Sequence, residues 1–130
     1  MWKLCAVLMC IVSLPLLACS SAPSIFVESE RILNWKEATD FCKQKGGRLP
    51  LISGMEKWDG LNPPAESVFI EGIGKYGDPW PSDLTTCYAT GTEQAGAVIA
   101  GLYPWFAASA NGGKISVHKM CSNVRAVCVR

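Results

Sequence analysis

The positions of the seven cysteines constrain the fold of this chain more than any other feature. Three lie within the first 19 residues, and the other four are Cys42, Cys87, Cys121 and Cys128. In an exported domain an even number of cysteines predicts two disulfides, and the spacing alone permits three pairings. No pair has the CxxC spacing typical of zinc sites, and the chain has a single histidine. The sequence therefore predicts a disulfide-bonded domain without a metal site or another cofactor.

The first 18 residues have the features of an export signal. Lys3 precedes an apolar run from Leu4 to Ala18 that is interrupted only by one serine and one proline. The run is shorter than the roughly 20 apolar residues that a transmembrane helix needs. A short charged start followed by a brief apolar core is typical of a secretory signal. Residues 1–18 are therefore predicted to be a signal peptide.

The end of this segment, LLAC at residues 16–19, resembles the lipobox of bacterial lipoproteins, in which the cysteine is acylated and becomes the new N-terminus. The resemblance implies that Cys19 is the lipidation site, that two or more acyl chains anchor the protein to a membrane, and that residues 19–24 are a short linker. No acidic retention signal follows Cys19, which favours the outer membrane if the cell has two. The alternative is an ordinary secreted protein cut near Ala18 or Ala22.

Composition narrows the possible functions. The 130 residues fit one domain, which we assign to residues 25–130. Lys and Arg number 12 against 11 Asp and Glu, so the chain has no basic field for a nucleic acid partner. His118 is the single histidine, and no pair of carboxylates stands out for acid/base chemistry. We therefore expect that the protein is not an enzyme.

A helix is predicted after residue 34. Asn34 and Glu37 have the spacing of a capping box, and apolar residues recur at helical spacing through Cys42. Gly46 and Gly47 end the helix, because glycine readily adopts the left-handed conformation of a helix C-terminus. Ser53 and Glu56 also have the spacing of a capping box, which favours a second helical turn that continues through Trp58.

The remaining apolar runs predict strands, separated by Gly, Pro and Asn. Asn111, Gly112 and Gly113 favour a hairpin turn, since these residues accept positive φ. The predicted class is α+β, with one or two helices before most of the strands. The predicted strands are Ser24 to Val27, Val68 to Ile73, Thr85 to Ala89, Ala97 to Leu102, Trp105 to Ser109, Lys114 to His118 and Val124 to Val129.

The segment WKEATDFCKQKGGRLPLI at residues 35–52 is similar to the helix and strand that open C-type lectin-like domains, and Cys128 fits the closing cysteine of that fold. The second half is similar to a bacterial branch found at the C-terminus of collagen-like adhesins. The resemblance covers roughly residues 25–130 and implies one or two helices packed on a twisted antiparallel sheet, adjacent first and last strands, and a long loop region that carries the binding surface. Its further matches are RLP at 48–50, TGTE at 90–93, PWF at 104–106, NGG at 111–113 and VRAVCVR at 124–130.

The resemblance also implies a disulfide pairing of Cys42 with Cys128 and of Cys87 with Cys121. Calcium-dependent sugar binding in this family rests on Glu-Pro-Asn or Gln-Pro-Asp and on Trp-Asn-Asp tripeptides, which are absent here. Calcium is a hard cation that needs several oxygen ligands converging in one loop, and the acidic residues that could supply them are scattered along this sequence. We therefore expect any ligand binding to be independent of calcium.

Candidate ligand-binding residues are aromatic rings that stack on sugars and cations that would face a sulfated glycan. The aromatic candidates also fit core packing, and that alternative stays open for Trp80 and Trp105. The candidates are Trp80, Tyr103, Trp105, Lys114 and Lys119.

The leading hypothesis is an adhesin-like lipoprotein of the bacterial cell envelope that binds an extracellular glycan or protein ligand without catalysis. The alternative hypothesis is a structural or accessory subunit of an envelope or surface assembly, without a ligand of its own. In both cases the lipid on Cys19 holds the protein at a membrane.

Overall fold

The computed structural model describes residues 22–55, 67–85, 87–94 and 104–130. Several predicted features lie outside these ranges: the signal peptide expected at residues 1–18, Cys19, Tyr103, the strand expected at Ala97 to Leu102 and the end of the helical turn expected through Trp58. No helix among the described residues is long and apolar enough to cross a membrane. In these ranges the chain forms helix α1 (Trp35–Gln44) and strands β1 (Ile25–Glu28), β2 (Ile52–Ser53), β3 (Phe69–Ile70), β4 (Gly74–Lys75), β5 (Cys87–Glu93), β6 (Pro104–Ala110), β7 (Lys114–His118), β8 (Val124–Arg125) and β9 (Val127–Val129).

Helix α1 begins with the capping box that the sequence predicts. The Asn34 side chain accepts a hydrogen bond from the Glu37 backbone N–H at 2.8 Å, and the Glu37 carboxylate accepts one from the Asn34 N–H at 3.0 Å. At the other end Gly46 has a φ of 84°, the left-handed conformation that suits glycine. Ala38 and Cys42 form the buried side of the helix. Both predicted ends of the helix are confirmed.

The described strands form three sheets. The largest has the order β7-β6-β5-β8, in which β6 is antiparallel to β5 and β7, whereas β8 is parallel to β5. Strands β2, β3 and β4 form a small antiparallel sheet, and β1 pairs antiparallel with β9. The first and last strands of the domain are thus neighbours. The hairpin predicted at Asn111 to Gly113 joins β6 to β7 and is confirmed.

Two predicted strands are interrupted in the structure. The strand expected at Val68 to Ile73 reverses after Ile70, because Gly72 has a φ of 73° in a turn and the chain returns as β4. The strand expected at Val124 to Val129 is interrupted at Ala126, since its first half pairs with β5 and its second half with β1. The strand expected at Thr85 to Ala89 corresponds to β5, which begins two residues later, at Cys87, and continues to Glu93.

Buried residues form two clusters on opposite faces of the four-stranded sheet, as the alternation of side chains along a strand requires. The first cluster contains Cys87 and Ala89 and is covered by α1. The second contains Tyr88, with Ile52 and Ile70 from the small sheet. The structure is therefore a mixed α+β fold with a helix on one face of the main sheet and a small sheet on the other.

Two disulfides cross this framework. Cys42 on α1 is bonded to Cys128 on β9, across a sequence separation of 86 residues. Cys87 at the start of β5 is bonded to Cys121 in the segment before β8. These are the two pairs that the family resemblance implies.

Candidate functional site

The structure separates the predicted ligand-binding residues. Trp105 is 5% exposed and packs in the second core cluster, so its ring belongs to the core and offers no surface for stacking. Lys114 and Lys119 are both exposed, but one begins β7 and the other follows its end. A strand rises about 3.4 Å per residue, which places the two lysines roughly 17 Å apart. The two cations therefore do not form one site.

Trp80 is the predicted residue that best keeps the features of a binding site. It lies in a segment that runs along the free edge of β7, where Ile115 accepts a hydrogen bond from Gly77 and donates one to Asp78, both at 2.8 Å. The Trp80 N–H donates to the Gly113 carbonyl at 2.5 Å. These backbone bonds hold Trp80 in place beside the β6–β7 turn.

The Trp80 ring lies parallel to the ring of Tyr88, with centroids 6.2 Å apart and an angle of 18° between the planes. Its indole N–H donates to the Leu84 carbonyl at 3.2 Å. Tyr88 is fully buried, whereas Trp80 is partly exposed. Trp80 therefore packs against the second core cluster through Tyr88 while part of its side chain stays exposed.

Beneath Trp80, the Tyr88 hydroxyl is the centre of a polar network. It donates a hydrogen bond to the Glu28 carboxylate and accepts one from the Thr85 N–H at 2.8 Å. The Thr85 hydroxyl is also 2.8 Å from it. Burial raises the pKa of Tyr88, and the hydrogen bond to Glu28 raises it further. The hydroxyl thus stays protonated at neutral pH and ties β1 to β5 and to the segment that carries Trp80.

Lys114 does not join this network through its side chain. Lys114 precedes buried Ile115, which packs with Trp80 in the second cluster. Because consecutive side chains of a strand point to opposite faces, Lys114 points to the other face of the sheet. The backbone of Lys114 remains next to the Trp80 segment through its bridge with Pro79.

The candidate site therefore consists of an indole face, a half-buried carboxylate and an exposed hydroxyl: Trp80, Glu28 and Thr85. An aromatic platform beside hydrogen-bonding oxygens suits a ligand with both apolar C–H faces and hydroxyl groups. In the part of the chain that the structure describes, no group of three or more His, Cys, Asp or Glu side chains is arranged to hold a metal ion.

His118 has a partner that its sequence context does not reveal. Its Nε2 atom is 2.8 Å from the Ser116 hydroxyl, which donates a hydrogen bond to the Ala108 carbonyl at 3.0 Å. Which of the two atoms donates in this contact depends on the tautomer of the His118 ring. Ser116 is buried and its hydroxyl also bonds the Ala108 carbonyl, so this contact stabilises the β6–β7 hairpin.

A cleft of about 630 Å³ lies between α1 and the segment after β1. Val27, Leu33 and Phe41 supply its apolar lining. Arg31 and Glu37 form an exposed ion pair of 3.5 Å at its rim. The cleft thus combines an apolar floor with paired charges, and Glu28 connects it to the Trp80 network.

Glu28, Tyr88 and Thr85 are parts of the site that the sequence does not predict. Glu28 and Tyr88 are 60 residues apart in the chain, so no local pattern links them. One signal was present: Glu28 directly follows the apolar run Ile25 to Val27, where a carboxylate at the end of a strand marks a polar boundary.

Comparisons of the chain with models of known families, with characterised proteins and with solved structures find no significant match.

Proposed function

We propose that this chain is an exported, lipid-anchored envelope protein whose domain has a C-type lectin-like fold and binds an extracellular ligand without catalysis. Three features support the fold. The first and last strands are paired, a disulfide joins α1 to the last strand, and a second disulfide joins β5 to the segment before β8. The signal-like leader and the lipobox ending at Cys19 support the anchor.

The ligand class is a glycan, and binding does not require calcium. The observation that carries this proposal is the partly exposed Trp80 ring, which is stacked on buried Tyr88 and held by backbone bonds to β7. A ring fixed in this way loses little freedom when a sugar stacks on it, which lowers the cost of binding. Glu28 and Thr85 supply polar oxygens around the hydroxyl of Tyr88, the residue on which the ring stacks.

The test is a glycan-array screen of the detergent-extracted full-length protein, with and without a calcium chelator. A glycan that binds the wild type should bind Trp80→Ala about tenfold more weakly, because stacking on an aromatic ring contributes on the order of 1 kcal/mol or more. Trp80→Phe should restore most of the binding. Met120→Ala is the matched control, since Met120 is exposed on another part of the surface.

Two results would reject this function. Loss of binding in the chelator would reject the calcium-independent mechanism. Equal binding by the wild type and Trp80→Ala, or no bound glycan at all while circular dichroism shows a folded domain, would reject the Trp80 site.

A second function, that of a packing subunit in an envelope assembly, is favoured by a different surface. Ile32 is 52% exposed and Met120 85% exposed, and each lies in a groove that is lined by Cys121 and Ser122. Exposed apolar side chains beside grooves are typical of contact sites between proteins. A protein partner that co-purifies with the wild type and is lost from Met120→Glu would support this function, whereas a clean monomer after detergent extraction would reject it.

A further inference from the structure

The outer face of the β2-β3-β4 sheet carries exposed apolar side chains. Ile52 and Ile70 are cross-strand partners in the core, so the alternation of side chains places Leu51 and Phe69 on the opposite face. Leu51 is 44% exposed and Phe69 47% exposed. The Leu51 carbonyl accepts a hydrogen bond from the Glu71 N–H, so Leu51 lies diagonally across from Phe69, within reach of an aromatic ring.

The charges on this outer face favour an anionic surface. Arg48 donates two hydrogen bonds to the Glu71 carboxylate, at 2.5 and 3.0 Å, and so neutralises it. Lys75 is exposed and is the cross-strand partner of Phe69. The outer face therefore has a net positive charge next to its two apolar side chains, a combination that suits lipid headgroups with negative charge.

The position where the chain enters the fold limits how far the small sheet can lie from Cys19. Gly72, in the turn between β3 and β4, lies against Ile25, the first residue of β1. A Cβ atom on Gly72 would be 2.9 Å from Ile25 Cγ1 and 3.3 Å from the Ile25 backbone nitrogen. Five residues, 20–24, lie between an acylated Cys19 and Ile25, and the six Cα–Cα steps of this fully extended linker span about 20 Å at most.

We infer that the outer face of the small sheet, with Leu51, Phe69 and Lys75, lies on the headgroup layer of the bilayer that holds the lipid of Cys19. This inference rests on the lipid anchor in the proposed function. The short linker keeps the turn at Gly72 near the bilayer, and the outer face beside that turn has the apolar and cationic side chains that bind a membrane surface. Ile32 and Met120, the other large exposed apolar residues of the described chain, are not on this face.

The Trp80 site lies apart from the small sheet along β5. Near the small sheet, the Gly91 N–H donates to the Pro50 carbonyl at 2.8 Å, close to the end of β5. The Trp80 ring stacks on Tyr88, close to the start of the same strand. Three residues of strand separate the two positions by about 10 Å. In addition, Glu28, which bonds Tyr88, is at the opposite end of β1 from Ile25.

The test places a tryptophan on the outer face and measures how close it is to lipid. Full-length Phe69→Trp is reconstituted into vesicles of phosphatidylethanolamine and phosphatidylglycerol that carry bromine atoms on the acyl chains near the headgroups. Bromine quenches indole fluorescence at short range. Fluorescence from the added indole, after subtraction of the wild-type signal, should be quenched about twofold more than in Met120→Trp, whose site faces elsewhere. Leu51→Trp, on the same face, should match Phe69→Trp.

Flotation separates a failure of the anchor from a failure of the orientation. Wild type and the tryptophan variants should float with the vesicles, and Cys19→Ser should stay behind. If the wild type does not float, both the anchor and the inference drawn from it are rejected. If all variants float but the bromine quenches residues 51, 69 and 120 equally, the anchor stands and the orientation is rejected.

Discussion

Replacing Tyr88 by phenylalanine would remove one hydroxyl and leave the ring that stacks on Trp80. The hydroxyl donates to the Glu28 carboxylate and accepts a hydrogen bond from the Thr85 N–H. A hydrogen bond to a charged group contributes about 1.5–3 kcal/mol, and one between neutral groups about 1 kcal/mol. We therefore expect Tyr88→Phe to lower the free energy of unfolding by about 2.5–4 kcal/mol.

Urea denaturation followed by circular dichroism measures this change directly. The same loss should lower the melting temperature by roughly 4–8 °C for each kcal/mol. A double-mutant cycle with Glu28→Ala isolates the bond itself, and the coupling between the two substitutions should be about 1.5–3 kcal/mol. A coupling below about 0.5 kcal/mol would refute the assignment of Glu28 as the partner of Tyr88.

The pH dependence supplies a separate check on Tyr88. Its pKa is raised above the ordinary value of 10.0, chiefly by burial. The protonated hydroxyl therefore stabilises the fold fully below pH 10, and this contribution is lost as the pH rises through the pKa of the folded state. Wild type should lose stability over that range, whereas Tyr88→Phe should lose less. Parallel curves for the two proteins would contradict the buried position of the hydroxyl.

Three further predictions concern stability. Gly47→Ala should lower the free energy of unfolding by about 1–3 kcal/mol, because the new Cβ would be 2.7 Å from a backbone oxygen. Gly46→Ala should lower it by about 1 kcal/mol, because its Cβ would meet no atom within 4 Å and only the positive φ opposes alanine. Equal unfolding free energies of the two variants would contradict this prediction. Replacing Cys42 and Cys128 by alanine should lower the free energy of unfolding by about 4.5 kcal/mol, because this disulfide closes a loop of 86 residues. Removal of the other disulfide, which closes a loop of 34 residues, should cost less. Denaturant titration of the two variants measures both losses, and the reverse order would contradict the prediction. Hydrogen bonding to an arginine lowers the pKa of Glu71, so its stabilisation is present above the pKa of an unfolded glutamate and is lost as the pH falls through the folded value. Glu71→Gln should therefore flatten the acid side of a stability–pH curve, and an unchanged curve would reject the ion pair.

Features set by neighbouring residues could be predicted from the sequence. The capping box of Asn34 and Glu37 and the hairpin at Asn111 to Gly113 are local, because each depends on residues within four positions of one another. The interruption at Ala126 could not be predicted in this way. It arises because the chain exchanges one pairing strand for another, and both partners are distant in sequence.

The candidate site was harder to predict for the same reason. Trp80 was identified because it is an aromatic residue in a segment that contains Gly and Pro. Whether a given ring is covered depends on what packs on it from elsewhere in the chain, and this separates partly exposed Trp80 from buried Trp105. Tyr88 and Glu28 form a pair only after β1 and β5 come together.

The two disulfides also determine how the domain would carry a mechanical load. For a pull between Ile25 and Trp80, the shortest covalent path does not follow the chain. It runs from β1 to Cys42, crosses to Cys128, passes along seven residues to Cys121, crosses to Cys87 and reaches Trp80 after seven more. The long chain segments between these points bear no tension once that path is taut. Under force only β1, α1 and these short stretches can extend, so the domain would act as a short tether with a fixed maximum length.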